Sequence, residues 1–300
     1  MDTVRLLTQD AGALDALRRV QVLYTDLDGT LLERGGSLLA DSHGEPDLGP
    51  VPAIVDLARA GLQVVPVSGR ARIQMTEVVR LLGWRDFIAE AGAVLVHGVG
   101  PSAEVRYNYA DWPAALLEGG ATPYELIERS GALEALQASF PGKLEYHTPW
   151  HLDREATHLL RGCLDAAEAQ AVLDGLEPPI GLLDNGLVRT VGSLECSEAN
   201  AAHAYHLVPR GVSKAQAIEL DLAWRGLSRE QAAAIGDSAT DIEMADAVAV
   251  MALVANAFDG HGVRAALEHN TRPNIWKTCC PRGEGWAEFA RAWLGAREGG

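Results

Sequence analysis

The chain has 300 residues, 48% of them hydrophobic, with a formal charge of −16 and a pI near 4.9. That length suits one large domain or two medium ones with a sizeable core, and the excess of acid excludes holding nucleic acid or an anionic membrane through bulk charge, since both partners need Lys and Arg to replace their counterions. No run approaches the roughly 20 apolar residues of a membrane span, and the opening MDTVRLLTQDAGALDALRRV lacks the apolar stretch of a signal peptide. The sequence reads as that of a soluble, cytoplasmic protein.

Apolar positions over residues 6–20 recur at helical spacing and predict a short amphipathic helix, which leads into a strand at 22–25 that stops at DLDGT. A helix over 51–60, a strand over 63–66 extended by Val67, a helix over 73–82 and a strand over 87–89 follow. Between 93 and 205 the rhythm changes to a hairpin-like AGAVLVHG, the aromatic stretches YNYADWP and EYHTPWH, and a helix near 155–173. The first rhythm then returns with a helix over 214–220, a strand over 232–235, a helix starting near Asp241 and a strand over 248–251. Alternating short strands and helices imply a parallel sheet covered on both faces. The expected architecture is therefore an α/β, Rossmann-like three-layer core formed by 1–92 and 206–300, interrupted by an inserted α+β cap domain at 93–205.

Ligands of open parallel sheets sit outside the carboxyl ends of the strands, and four groups of this sequence fall there. They are Asp26 and Asp28 after the first strand, Ser68 in VVPVSGR, Lys214 in PRGVSK, and Asp237 with Asp241 in GDSATD. Each taken singly is an ordinary turn or helix-cap residue; their order and placement make the case. A carboxylate can attack the phosphorus of a phosphate ester if a cation screens the repulsion, and hard Mg²⁺ prefers the oxygen ligands that Asp26 and Asp237 offer. Asp28 lies two residues beyond Asp26, past the turn opened by Gly29, and is placed to act as general acid and then base. Ser68 can donate to a phosphoryl oxygen, Gly69 permits close backbone approach, and Lys214 adds fixed positive charge.

The segments DLDGT, PVSGR, GVSK and GDSATD, in this order, resemble the four signature motifs of the haloacid dehalogenase-like superfamily, and the insertion between the second and third resembles that family's type-two cap, common among sugar-phosphate phosphatases. The resemblance implies Asp26 as nucleophile and Asp28 as acid/base. It makes Ser68 and Lys214 phosphate-site residues together with Gly29, Thr30, Gly69, Arg70 and Asn256, and draws Asp26, Asp28, Asp237 and Asp241 together around Mg²⁺. Thr240 stands where many relatives carry Asn, and EAGA at 90–93 replaces the more usual ENGA. A dehalogenase would lack the acid at Asp28, so the implied activity is hydrolysis of a small phosphate monoester, a sugar phosphate or a related polyol or acid phosphate, through an aspartyl-phosphate. The rival readings are a phosphomutase of the same superfamily and a binding protein that keeps the fold without turnover.

The remaining chemistry-bearing residues carry weaker expectations. Cys163, Cys196, Cys279 and Cys280 show no metal or redox spacing, and reduced thiols are the default. His147, His151 and His158 lack a complete ligand set, and Trp112, Trp150, Trp224 and Trp276 read as packing residues. His147, Trp150 and the segment from Glu195 to Asn200 are the candidates for reading the leaving group.

Overall fold

Strands made of small and β-branched residues build the sheet that carries the four motifs. In the computed structural model, which describes residues 4–33, 35–188, 194–196, 201–268 and 270–298, the chain divides into two compact units. The first comprises Met1–Ser68, Val79–Phe87 and Lys214–Gly300, the second Gly69–Val78 and Ile88–Ser213.

The first unit holds a six-stranded sheet in the order Arg5–Leu6, Ile275–Lys277, Val250–Leu253, Ala232–Gly236, Val22–Thr25, Gln63–Pro66, with every neighbouring pair parallel. Val22–Thr25, Ala232–Gly236 and Val250–Leu253 are buried along their whole length, as a sheet covered on both faces requires. Thr25 pairs with Ile235, so the residues that follow these two strands leave the sheet as neighbours. The helix Arg282–Glu298 supplies the largest core side chains, Trp286 and Trp293, both fully buried. Their indole N–H groups donate to Thr25 Oγ1 at 3.0 Å and to the Val20 carbonyl at 3.3 Å, which pins this helix to the strand that leads into Asp26. Truncating an aromatic side chain of that size in a core costs about 3–5 kcal/mol.

The second unit is built on an antiparallel sheet in the order Leu144–Tyr146, His158–Gly162, His203–Pro209, Ile180–Leu187. A smaller sheet of Phe87–Ala89, Val94–His97 and Glu104–Tyr107 accompanies it. The helices Pro123–Arg129, Ala132–Ser139 and Ala166–Leu173 flank a core that includes Trp112, Ile127, Leu136, Leu160 and Tyr205.

Several expectations are corrected. The helix over 6–20 is shorter: a strand Arg5–Leu6 and a 3-10 turn Leu7–Gln9 precede the helix Ala11–Leu17. Asp10 starts it by accepting a hydrogen bond from the Ala13 amide at 2.9 Å, a side-chain cap that fixes the first turn. The helix near 155–173 is in its first half the strand His158–Gly162, and the helix Ala166–Leu173 begins only after Asp165 caps it. A short apolar run such as HLLRG has no periodicity that separates strand from helix, and pairing on both edges decides it. Trp112 and Trp276 are buried, whereas Trp150 is 51% exposed and is no packing residue.

Cys163 and Cys196 are not reduced thiols but form a disulfide with Cα atoms 5.7 Å apart, while Cys279 and Cys280 are free. The bond joins residues 33 apart, a separation that sequence spacing does not single out because the partners meet only through the fold. Alkylating the unfolded protein without reductant is expected to label two of the four cysteines, Cys279 and Cys280, and adding reductant should expose the other two. Peptide mass spectrometry that finds Cys163 alkylated without reductant would count against the bond.

Candidate active site

Asp26 follows the strand Val22–Thr25, and its amide donates to the Ile235 carbonyl of the adjacent strand at 2.9 Å. Asp237 follows that adjacent strand, Ala232–Gly236. Two acids are thus set side by side at the carboxyl edge of a parallel sheet by strand pairing alone. Asp241 joins them from the short helix Ala239–Ile242, and one carboxylate oxygen from each of the three lies within 4.8 Å of the others.

Lys214, the first residue of the helix Lys214–Arg225, reaches into this group. Its ammonium donates to Asp26 Oδ1 at 2.7 Å and to Asp241 Oδ1 at 2.6 Å, and all three side chains are nearly or fully buried. The other oxygen of Asp241 accepts from the Asp237 amide at 3.1 Å, the Ser238 amide at 2.9 Å and the Ser238 hydroxyl at 2.6 Å. Asp241 therefore has both oxygens engaged and braces Lys214 and the turn after the strand. Asp237 is held differently. Thr30 Oγ1 donates to its Oδ1 at 3.2 Å, and Asn256 Nδ2 lies 3.4 Å from its Oδ2 while donating to the Gly29 carbonyl at 2.9 Å.

Gly29 has φ +93°, and a Cβ there would stand 2.3 Å from Asp237 Oδ2. Both the backbone conformation and the space demand glycine. The turn is closed by the Gly29 amide donating to the Leu32 carbonyl at 3.0 Å. Asp28, within that turn, is exposed and is not among the three clustered acids. Ser68 is almost fully buried just past the strand Gln63–Pro66, where the Val67 amide donates to the Thr25 carbonyl at 2.7 Å.

Three carboxylates around one ammonium leave an excess of negative charge, and the acid strengths report it. Burial pushes the Asp26 carboxyl up to about 7, with Lys214 opposing and Asp241 adding to the rise. Burial, then Asp26 and Asp241, push Asp237 up to about 8. Asp241 also feels burial, but Lys214 and Ser238 outweigh it and hold the carboxyl below its ordinary value. A set of crowded oxygen donors whose protons are held this tightly is the donor chemistry that fits a hard divalent cation, which replaces those protons.

The unit thus gathers Asp26, Lys214, Asp237 and Asp241 directly, with Thr30 and Asn256 bracing Asp237. Sequence reading missed Ser238, whose hydroxyl and amide anchor Asp241. Its signal was present, since Ser238 with Asp241 three residues on is a capping-box pattern. In the second unit Gly69 and Arg70 form the turn that continues from Ser68, and their carbonyls are held by Arg154 and by the Glu90 amide, each at 2.9 Å. His147 is partly buried there, Glu195 donates its amide to the Gly142 carbonyl at 2.9 Å, and residues 197–200 of the segment expected to read the leaving group lie outside the described residues.

The chain is similar to known hydrolases and phosphatases. The profile of the haloacid dehalogenase-like hydrolases matches residues 189–274. A phosphoglycolate phosphatase of Methanoculleus marisnigri is 26% identical over 242 residues, covering 79% of this chain and 85% of the relative. Another of Metallosphaera sedula is 24% identical over 239 residues, covering 79% and 86%. Among solved structures, the sucrose-phosphatase of Synechocystis, in complex with sucrose and phosphate, superposes with a TM-score of 0.61 at 15% identity over 92% of this chain and 98% of that one. A Thermoplasma acidophilum protein superposes with a TM-score of 0.59 at 17% identity, over 92% and 98%. These superpositions, at under 25% identity, show a shared fold.

Proposed function

We propose that this chain, a haloacid dehalogenase-like hydrolase, is a phosphatase that transfers the phosphoryl group of a small phosphate monoester to Asp26 and then to water. The observation that carries the reading is the buried Asp26 carboxylate, ion-paired through Oδ1 to Lys214 beside Asp237 and Asp241. A purely structural sheet edge has no use for three acids in a space where each destabilises the others' charge.

In this mechanism Lys214 holds Asp26 through one oxygen, so the carboxylate is fixed in rotation and its other oxygen is the nucleophile. Asp26 attacks phosphorus in line with the leaving oxygen. Asp28 gives that oxygen its proton, then takes a proton from the water that cleaves the aspartyl-phosphate. Its exposure suits both exchanges. Ser68, Gly69 and Arg70 grip the phosphoryl oxygens, and Lys214 neutralises the charge that develops on them. Asp26 and Asp237 would hold Mg²⁺, with Asp241 setting Lys214 and the Asp237 turn. When bound, the ion supplies charge neutralisation between nucleophile and phosphate.

The substrate class proposed is a phosphorylated sugar or a short polyol or hydroxy acid. The relatives named above support this range, and the chain's charge of −16 disfavours a leaving group with further phosphates. Sugar phosphates, phosphoglycolate and nucleoside triphosphates should be assayed side by side with Mg²⁺, with phosphate release as the readout. Release from members of the first two groups, absent under chelation, is the expected result. Nucleoside triphosphates as best substrates would overturn the substrate class, and transfer of the phosphoryl group to a second hydroxyl in place of release would favour the mutase reading.

A further inference from the structure

We infer that Arg154 and Glu90 are positioning residues for the turn Gly69–Arg70, holding the backbone that follows Ser68 in the orientation needed to meet a phosphoryl group; the inference rests on the phosphatase reading above. Arg154 spends each of its guanidinium nitrogens on backbone or buried partners. Its Nη2 donates to the Gly69 carbonyl at 2.9 Å, its Nε to the Trp150 carbonyl at 3.0 Å and its Nη1 to Thr157 Oγ1 at 3.0 Å, with Glu90 Oε2 3.9 Å from Nη1. The Arg154 side chain is 1% exposed and that of Glu90 is fully buried.

Glu90 completes the clamp from the other side. Its amide donates to the Arg70 carbonyl at 2.9 Å. Its carboxylate accepts from the amides of Glu155, Ala156 and Thr157 at 2.9, 3.1 and 2.8 Å and from the Thr157 hydroxyl at 2.9 Å. Two successive carbonyls, of Gly69 and Arg70, are therefore tied to one network. Because each peptide unit is planar and trans, a carbonyl pinned on one side turns the next residue's N–H to the opposite side. The clamp thus sets where the Arg70 amide points, while the Ala71 amide is engaged by Gln74 Oε1 at 2.9 Å. A side chain at Gly69 would be crowded, since a Cβ there would stand 3.0 Å from both Asn185 Nδ2 and His206 Nε2.

Stability is a poor explanation for such a device. A buried ion pair is often matched or bettered by apolar residues of similar volume, and Glu90 and Ala91 both adopt left-handed backbone, with φ +52° and +58°, a conformation that non-glycine residues hold only where their surroundings enforce it. What the network provides is direction for the backbone of the turn. A preorganised set of donors is most valuable where charge develops on phosphoryl oxygens.

The test uses the full chain with Mg²⁺, p-nitrophenyl phosphate as substrate and inorganic phosphate as competitive inhibitor. Arg154→Met is expected to lower kcat/KM and to raise the inhibition constant for inorganic phosphate by at least about tenfold, while the Mg²⁺ concentration for half-maximal rate stays as in wild type. Arg154→Lys, which keeps a donor for the Gly69 carbonyl, should recover part of both losses. Arg161→Met, which breaks the Arg161–Glu145 ion pair of 2.5 Å elsewhere in the same unit, should change neither. If Arg154→Met fails to fold, Thr157→Val, which removes the hydroxyl shared by Arg154 and Glu90, decides by the same two constants. Wild-type phosphate inhibition in a folded Arg154→Met, or in Thr157→Val where the first does not fold, overturns the inference, as does an equal loss in Arg161→Met. A wild-type protein that hydrolyses no phosphate ester refutes the phosphatase reading instead, and the inference is then judged by equilibrium dialysis of inorganic phosphate against the same variants.

Discussion

Asp26→Asn is expected to reduce phosphate release to below about 10⁻⁴ of the wild-type rate, because removing a nucleophile that acts as one unit with its partners commonly costs that much or more. The physical argument is specific to this site. Asparagine has the shape of aspartate, and it can still accept from the Lys214 ammonium that now touches Asp26 Oδ1 at 2.7 Å. Lys214 also keeps its contact with Asp241 Oδ1 at 2.6 Å, so it is not left as an unpaired buried charge. An amide nonetheless has no lone pair nucleophilic enough to attack phosphorus. Circular dichroism and thermal unfolding should therefore show an intact fold alongside lost turnover. Purified Asp26→Asn that releases phosphate at the wild-type rate would remove Asp26 from the mechanism, while a variant that fails to fold would show that the ion pair holds up the sheet edge.

The core strands at Val22–Thr25 and Gln63–Pro66 lie where the sequence pattern predicts them, whereas Phe87–Ala89, a strand at the expected residues, joins the small sheet with Val94–His97 and not the parallel one. These are short, nearly continuous apolar runs closed by Gly, Pro or Asp, the signature of a strand buried on both faces. Asp26, Lys214, Asp237 and Asp241 were legible for a related reason. Asp26 and Asp237 directly follow strands, Lys214 opens a helix and Asp241 lies in the first turn of one, so the topology of a parallel sheet converts sequence position into spatial neighbourhood. The helix Arg282–Glu298 was not legible, since its buried Trp286 and Trp293 sit among Gly, Arg and Glu with little contrast between faces.

The second unit was harder to read, because its geometry depends on pairings between distant segments. His158–Gly162 is a strand only because Leu144–Tyr146 and His203–Pro209 flank it. The disulfide between Cys163 and Cys196 and the clamp of Glu90 on Thr157 have the same origin. One trace of the clamp was visible in the sequence. Asn tolerates left-handed backbone better than Ala does, so EAGA in place of the usual ENGA puts a costlier residue at Ala91, with φ +58°. That departure marks a turn that its surroundings hold in place.

The thermal stabilisation conferred by Mg²⁺ is expected to grow steeply between pH 6 and pH 8.5 and to be lost in Asp237→Asn. Burial drives the carboxyls of Asp26 and Asp237 up to about 7 and about 8 from an ordinary 3.8, so in the metal-free protein these groups favour their protonated forms. A carboxyl raised in this way gives its stabilising contribution fully below about pH 4 and loses it as the pH climbs through its folded-state value. The metal-free site therefore weakens from about pH 4 up to about pH 8, and the cation binds only where the protons have left. One proton in competition changes the apparent affinity by up to about tenfold per pH unit below the carboxyl's pKa. With Mg²⁺ at one hundred times its dissociation constant the stabilisation is about 2.7 kcal/mol, a rise of several degrees in Tm for a chain of this size. Asp237→Asn takes one of the two titrating acids out of the cluster. In chelator its advantage in Tm over wild type should be larger at pH 8.5 than at pH 5.5, and it should show little response to Mg²⁺ at either. Differential scanning calorimetry of both proteins, chelated and Mg²⁺-loaded at the two pH values, measures all of this. A Mg²⁺ response in wild type that is flat with pH, or one that survives intact in Asp237→Asn, would show that the cation is not held by this cluster.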